Sequence, residues 1–437
     1  MLATTDALAA VFADASVLQA MLDVEGALAR AQARVGIVPE KAARAISRAA
    51  SAGPFDAAAL LGAARQTGTV AVPLVAALTE RVRKADAEAA RFVHWGATSQ
   101  DVVDTALVLL INRAVALLAA DHARLSGALR ALSDRHADDV MLSRTLLQPA
   151  PPTTFGLKAA GWLAGAARSW SRIKSARHDA CVLQFGGASG TLAAQGDRGL
   201  AVADALGREL GLPVPDVPWH AYRDRLAALV AACGIYVGVL GKMARDVSLL
   251  MQFEVGEAAE PGGGSSTMPH KRNPVGCAIA LAAAARLPGL VSTSLVGLVQ
   301  EHERAVGAWH AELPTVAAAL ETTGAAVAAM ADAASQLTVD PDRMRANIER
   351  TNGAVFAERA VLSAAGALGR DEAHRMVQAA LARSRSSGAS LADALRATPE
   401  LAGALTEDGL QVLDEASSYL GMAETFRRRL LASAEQA

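Results

Sequence analysis

Between Tyr222 and Glu257 apolar side chains occupy nearly the whole circumference of a helix. A helix that is apolar all round must be buried on every side. One chain has few places for several such rods, so the pattern predicts a helical bundle completed by other subunits. No alternating run of useful length marks a strand, and no short internal repeat is present. Prolines divide the chain: none occurs between Pro73 and Pro149, between Pro152 and Pro213, or between Pro218 and Pro261. Those gaps are filled with Ala, Leu, Arg and Glu and permit helices well beyond the mean of about 11–12 residues. The predicted fold class is all-α.

Three regions are expected. Residues 1–105 hold short helices separated by turns at Gly36-Ile-Val-Pro39 and Gly53-Pro54. Residues 106–340 hold the long helices and two interruptions rich in Gly and Pro. Residues 341–437 hold shorter helices, opened by Asp340 as N-cap and Pro341 at the first helical position.

Composition sharpens this picture. Of the 437 residues, 52% are hydrophobic, yet about a hundred are Ala and only eight are Phe, five Trp and three Tyr. Ala favours helices that pack closely. The net charge of −2 and pI of about 6.5 argue against a nucleic-acid or anionic-membrane partner. Cys181, Cys233 and Cys277 lie far apart, which reads as reduced thiols in a cytoplasmic protein. The opening MLATTDALAA lacks the basic and apolar regions of a signal peptide. The longest uncharged apolar stretch, Leu226 to Gly241, ends at Lys242, short of the eighteen or so residues that span a bilayer. A soluble, cytoplasmic protein is expected.

The candidate chemistry lies first in residues 261–274, Pro-Gly-Gly-Gly-Ser-Ser-Thr-Met-Pro-His-Lys-Arg-Asn-Pro. Three glycines and two serines make a loop rich in hydrogen-bond donors, followed by His270, Lys271 and Arg272. Such a loop can close over an anion and present a hydroxyl to it. Taken alone it reads first as a hinge between helices.

The ordered string from Gly264 to Pro274 closely resembles the signature of the fumarase/aspartase superfamily. Other segments resemble one group of it, the 3-carboxy-cis,cis-muconate cycloisomerases: His94-Trp-Gly-Ala-Thr-Ser-Gln-Asp-Val-Val-Asp-Thr105, Leu183-Gln-Phe-Gly-Gly-Ala-Ser-Gly-Thr191, Pro218-Trp-His-Ala-Tyr-Arg-Asp-Arg225, Glu301-His-Glu-Arg304 and Met21 to Arg30. The resemblance covers most of the chain and is weakest after about residue 350. It implies three helical domains, with a long central bundle that assembles into a twenty-helix tetramer core. Each active site then draws residues from three subunits. The implied reaction interconverts 3-carboxy-cis,cis-muconate and 4-carboxymuconolactone, in the protocatechuate branch of the β-ketoadipate pathway.

Residue by residue, the resemblance makes Ser265 the catalytic base. Its alkoxide would need stabilisation from loop N–H groups and Lys271. Lys271 and Asn273 match positions that hold a substrate carboxylate, Thr98 and Ser99 match carboxylate-binding hydroxyls, and Gln148 matches a substrate-contacting amide. Without the resemblance, Thr98-Ser99 reads as a helix N-cap and Gln148 as a turn residue. His94 and His220 are candidate substrate contacts or structural hydrogen-bonders. Arg223, Arg225 and Arg304 meet substrate carboxylates or pair with Asp224, Glu301 and Glu303.

One departure discriminates. Relatives that eliminate amines carry a His two residues before that Gln and a Glu after the signature loop. Here those positions are Leu146 and Ala278. An amine leaving group needs a general acid, whereas the carboxylate released when a lactone opens needs no proton near neutral pH. The pair of absences favours cycloisomerase over a C–N or C–O lyase that releases fumarate or a related acid. A catalytically silent helical assembly is the third alternative, and the intact Ser265, Lys271 and Asn273 oppose it. The histidines show no metal-ligand spacing, and Gly186-Gly187-Ala-Ser-Gly190 follows no strand, so neither metal nor nucleotide cofactor is expected. The expected partners are a small polycarboxylate substrate and other copies of the chain.

Overall fold

The structure is a computed structural model that describes residues 3–264, 267–268, 270–405, 410, 413 and 415–436. Its described α-helices are α1 Asp6–Val11, α2 Asp14–Arg34, α3 Glu40–Ser51, α4 Ala57–Thr67, α5 Ala71–Ala85, α6 Ser99–Arg135, α7 Phe155–Ala180, α8 Gly199–Leu210, α9 Asp224–Leu250, α10 Val275–Val296 and α11 Ala308–Ser335, followed by α12 Pro341–Glu349, α13 Ala357–Leu368, α14 Arg370–Ser387, α15 Leu391–Arg396, α16 Pro399–Ala404 and α17 Ala423–Glu435. Helix ends follow local chemistry. The Asp56 carboxylate accepts the Ala59 N–H at 3.0 Å ahead of α4. Asp340 accepts the Arg343 N–H at 2.9 Å ahead of Pro341 in α12, as the sequence predicts. The all-round apolar helix is shorter than its pattern: Tyr222 lies outside α9 and is exposed, and α9 stops at Leu250. Pro288 and Pro314, by contrast, lie inside α10 and α11 rather than between elements.

The chain forms two compact units. The first comprises residues 1–123, 169–241 and 279–329, and the second comprises 124–168, 242–278 and 330–437. Every boundary falls inside a long helix, in turn α6, α7, α9, α10 and α11. The first unit buries Leu18, Met21, Leu22, Ile46, Leu74 and Leu78 of α2, α3 and α5 around Val102, Ala106 and Leu110 of α6. The second buries Ile348, Phe356, Ala360, Val377 and Leu395 of its C-terminal helices together with Leu142.

Leu142 belongs to a hairpin that the sequence pattern does not reveal. Strand β1, Val140–Thr145, pairs antiparallel with β2, Gln148–Thr154, with a register shift after Leu142. Pro149, Pro151 and Pro152 hide β2 from a pattern reading, because a strand with three prolines is tolerated only at an edge. This sheet has two strands, so both are edges. Short pairs also join β3, Ala258–Ala259, to β6, Thr338–Val339, and β4, Gly263–Gly264, to β5, Arg272–Asn273.

Among the described residues, α6, α9, α10 and α11 are each long and apolar enough to cross a membrane by length and composition. An unbroken uncharged run is a stricter measure than these helices, whose apolar windows tolerate a charge or two. Protein already covers most of the apolar windows of α6, α9 and α11, which are 67%, 61% and 67% buried, but that of α10 is only 22% buried.

The hairpin leads directly into α7 at a point of close backbone approach. Phe155 N–H donates to the Asp139 carbonyl at 2.9 Å and Gly156 N–H to the His136 carbonyl at 2.8 Å. A Cβ on Gly156 would lie 2.7 Å from Ala137 Cα and from the Ser133 carbonyl oxygen. These are backbone atoms and cannot rotate away. Gly156→Ala is therefore expected to destabilise the protein by about 1–3 kcal/mol, read as a lower urea midpoint in denaturation followed by circular dichroism.

Candidate active site

The first turns of α6 place Asp101, Asp104 and Thr105 on one face, because residues three and four apart are neighbours on a helix. All three are at most 2% exposed. Asp101 accepts four hydrogen bonds: from the N–H groups of Thr98 at 3.1 Å, Gly186 at 2.9 Å and Gly187 at 2.9 Å, and from His220 Nε2 at 2.7 Å. Thr105 Oγ1 donates to the Gln184 carbonyl at 2.8 Å and accepts the Gln184 N–H at 3.1 Å. One helix face thereby fixes the irregular chain from Gln184 to Gly187. Gly186 is required there, since a Cβ would stand 2.7 Å from His220 Cε1.

Asp104 takes a two-pronged bond from Arg223, at 2.7 and 3.0 Å, and further bonds from Trp309 Nε1 at 2.9 Å, Gln184 Nε2 at 3.1 Å and Gln100 Nε2 at 3.2 Å. Arg223 also pairs with Glu312. Burial opposes the Arg223 charge, but the two carboxylates outweigh it and raise its affinity for the proton. Among the described residues none of the three guanidinium groups singled out from sequence pairs with Asp224, Glu301 or Glu303. Arg223 is a buried structural cation held by Asp104 and Glu312 rather than Asp224. Arg225 donates to the Asp179 carbonyl at 2.8 Å. Arg304 donates to Thr98 Oγ1 and, at 2.8 Å, to the carbonyls of Gly187 and Ala188.

The structure gathers four of the residues picked from sequence, His94, Thr98, Ser99 and His220, around this helix start. Ser99 opens α6, and the Thr98 N–H donates to the Asp101 carboxylate while the Thr98 hydroxyl accepts from Arg304. His220 is 4% exposed, and because an ionised carboxylate only accepts, its Nε2 carries the proton given to Asp101. His94 sits in the left-handed region at φ 58° and places Nδ1 2.5 Å from Glu25 Oε1. Burial lowers the proton affinity of His94, but the bond and charge of Glu25 and the charge of Asp101 outweigh it. The net shift is upward from 6.5.

The other selected residues lie in the second unit. Gln148 is exposed at the start of β2, opposite Thr145. Between them Leu146 and Leu147 make a two-residue loop, both left-handed at φ 50° and 64°, and 97% and 72% exposed. Asn-Gly is the usual occupant of such a loop, and the left-handed form costs about 1–2 kcal/mol per residue in other side chains. The hairpin is anchored by Arg144, which grips Glu257 with bonds of 2.6 and 2.9 Å, while Asn347 Nδ2 donates to the same carboxylate at 2.8 Å. Glu257 is fully buried.

Lys271 and Asn273 lie at the signature loop, closed at its base by Gly263 opposite Asn273 and Gly264 opposite Arg272. Lys271 is exposed and its N–H donates to the Met268 carbonyl at 3.0 Å. Ser265 lies outside the described residues. No hydrogen bond joins Gln148 to Lys271 or Asn273 among the described residues. Ala278 is in the first turn of α10 and has no proton to give.

Sequence reading missed Glu25, Asp101, Asp104 and Glu312. The i, i+3 spacing of the two aspartates in an otherwise apolar stretch is the signal that could have found that pair. Among the described residues no group of three His, Cys, Asp or Glu side chains could hold a metal ion. The cysteines are buried and unpaired, with thiols pushed up by burial to about 11 in Cys181 and Cys233 and about 12 in Cys277, so none is a nucleophile near neutral pH.

Removing the Arg223 guanidinium would leave the buried Asp104 and the half-buried Glu312 without the cation they share. Arg223→Met is expected to destabilise the protein by about 3–5 kcal/mol, measured as a shift of the denaturation midpoint.

Comparison with known proteins places these features in a family. The family described as Lyase matches residues 2–289, and that described as Adenylosuccinate lyase C-terminus matches residues 353–430. The chain is 47% identical to a 3-carboxy-cis,cis-muconate cycloisomerase of Bradyrhizobium diazoefficiens, over 97% of this chain and 95% of that one. It is 40% identical to a nitrosuccinate lyase of Streptomyces davaonensis, over 95% and 90%. The crystal structure of a 3-carboxy-cis,cis-muconate lactonizing enzyme from Pseudomonas putida superposes with a TM-score of 0.94 at 42% identity, covering 99% of this chain and 98% of that one. With its all-α fold and intact signature loop, the chain belongs to the lyase family of the fumarase/aspartase superfamily, in the group that includes the 3-carboxy-cis,cis-muconate cycloisomerases.

Proposed function

We propose that this enzyme interconverts 3-carboxy-cis,cis-muconate and 4-carboxymuconolactone by adding or eliminating a carboxylate across a C=C bond. The observation that carries this reading over other chemistries of the family is Leu146. It stands two residues before Gln148 at the tip of the hairpin, where relatives that eliminate amines have a proton-donating His. A carboxylate leaving group needs no such donor. The relative named nitrosuccinate lyase favours, as second reading, a lyase acting on an unsaturated acid.

Ser265 moves the proton on carbon. In one direction it removes the proton beside the stabilising carboxylate, and in the other it returns it. Loop N–H groups and Lys271 stabilise its alkoxide. Lys271 and Asn273 hold one substrate carboxylate, Thr98 and Ser99 another, and Gln148, His94 and His220 make further contacts. No metal or organic cofactor enters this scheme.

The enzyme works as a homotetramer whose active sites each draw residues from three subunits. The poorly covered apolar surface of α10 and the exposed Leu146–Leu147 tip support an assembly that buries them. The division into helical regions at about residues 105 and 340 belongs to the same reading, as does a cytoplasmic location, which the unpaired cysteines suit.

Incubation with carboxymuconate, adenylosuccinate and argininosuccinate, each followed by absorbance, should show turnover of the first alone. Ser265→Ala should lower kcat by orders of magnitude with substrate affinity roughly intact, because a proton-transfer group acts mainly in the transition state. Leu146→Ala should have a smaller effect on turnover, through packing or substrate fit. Near-normal turnover in folded Ser265→Ala would overturn the mechanism. Light scattering should give close to four times the chain mass of 44.8 kDa, and a stable, active monomer would refute the shared sites.

A further inference from the structure

The proton-bearing pair missing at Leu146 and Ala278 has a counterpart elsewhere in the chain. Glu25, on α2, is 1% exposed. Its Oε1 lies 2.5 Å from His94 Nδ1, and its Oε2 has no partner among the described residues. A buried carboxylate without donors from backbone or cation is costly unless an opposite charge sits against it. Among the described residues the imidazole is the one group bonded to it. His94 in turn is held there by a left-handed backbone between Val93 and Trp95, a conformation uncommon outside glycine. The side chain is one-fifth exposed, and its Nε2 makes no hydrogen bond within the described residues.

We propose that Glu25 is a positioning residue that anchors and aims His94 and places a negative charge against its Nδ1–H, so that the outward Nε2–H serves as a donor to a substrate carboxylate. This rests on the cycloisomerase reading, whose substrate carries three carboxylates. The surroundings agree. Two carboxylates act on the ring, Glu25 from α2 and Asp101 from α6. Asp101 is satisfied by its four donors, among them His220, the second histidine at this helix start, and Asp104 is held by Arg223 and Trp309. Arg304 is engaged by Thr98 and the carbonyls of Gly187 and Ala188. The upward shift of His94 follows from the same pair. The imidazolium is present below the raised value and is lost as pH climbs through it.

The test is Glu25→Gln, which preserves shape and can still accept the Nδ1–H but removes the charge. The titration of His94 is read in the folded protein by hydrogen–deuterium exchange at the imidazole C2 position. In the unaltered protein its midpoint should lie above 6.5, and in Glu25→Gln it should fall. Kinetically, KM for 4-carboxymuconolactone at pH 7.5 should rise about tenfold with a much smaller change in kcat, as expected when ground-state and transition-state binding are lost together. The alkaline limb of kcat/KM should move to lower pH. A merely structural Glu25 would move neither the limb nor the midpoint. An unmoved limb in folded Glu25→Gln overturns the proposal, and so does a His94 midpoint at or below 6.5 in the unaltered protein, which decides the matter even if the variant fails to fold. Should neither protein turn over the lactone, the cycloisomerase reading fails, while the exchange midpoints still decide what Glu25 does to His94.

Discussion

A single buried carboxylate, Asp101, organises the start of the longest helix and everything assembled on it. Among the described residues it pairs with no lysine or arginine. Three backbone N–H groups and one imidazole satisfy its oxygens instead. Each of those donors belongs to a segment without regular structure or to a helix end, where unpaired backbone groups would otherwise be unsatisfied. The carboxylate therefore converts irregular chain into fixed geometry. Asp104, one turn further on, does the same for Arg223 and Trp309. The Thr98 turn, the Gly186–Gly187 turn and His220 owe their mutual positions to this pair of side chains.

Much of this was legible in the sequence, and the parts that were not share a cause. Long helices were readable because proline spacing and alanine content are local properties. The N-cap at Asp340 was readable for the same reason. The hairpin was not, because the prolines of β2 suppress the period-two signal that marks a strand and because pairing with β1 is not written in either strand alone. The partners of Arg223 were misread because Asp224 is its neighbour in sequence, whereas Asp104 and Glu312 approach it only in the folded chain. The signature loop named the family through the identity of its residues, while Glu25 carried no pattern at all. Its importance follows from burial and from one contact 69 residues away in the chain.

The chemistry of the proposed reaction explains an apparent economy. Losing a His and a Glu at Leu146 and Ala278 would disable an enzyme that must protonate an amine. A carboxylate is its own good leaving group, and the need shifts to holding several negative charges in place. Residues that donate without giving up a proton suit that need: lysine, asparagine, hydroxyls and an imidazolium anchored by a carboxylate.

The two units are discontinuous in the chain, and their boundaries lie within helices. No cut in a surface linker can release either as one peptide. During synthesis the first unit must wait, since residues 1–123 are made well before the stretch that begins at residue 279 and completes the unit. At about 5–20 residues per second, the interval is on the order of ten to thirty seconds. Throughout it the apolar faces of α2, α3 and α5 have only part of their final covering. A nascent chain of this design stays exposed to aggregation or to chaperone capture until its last long helices have left the ribosome.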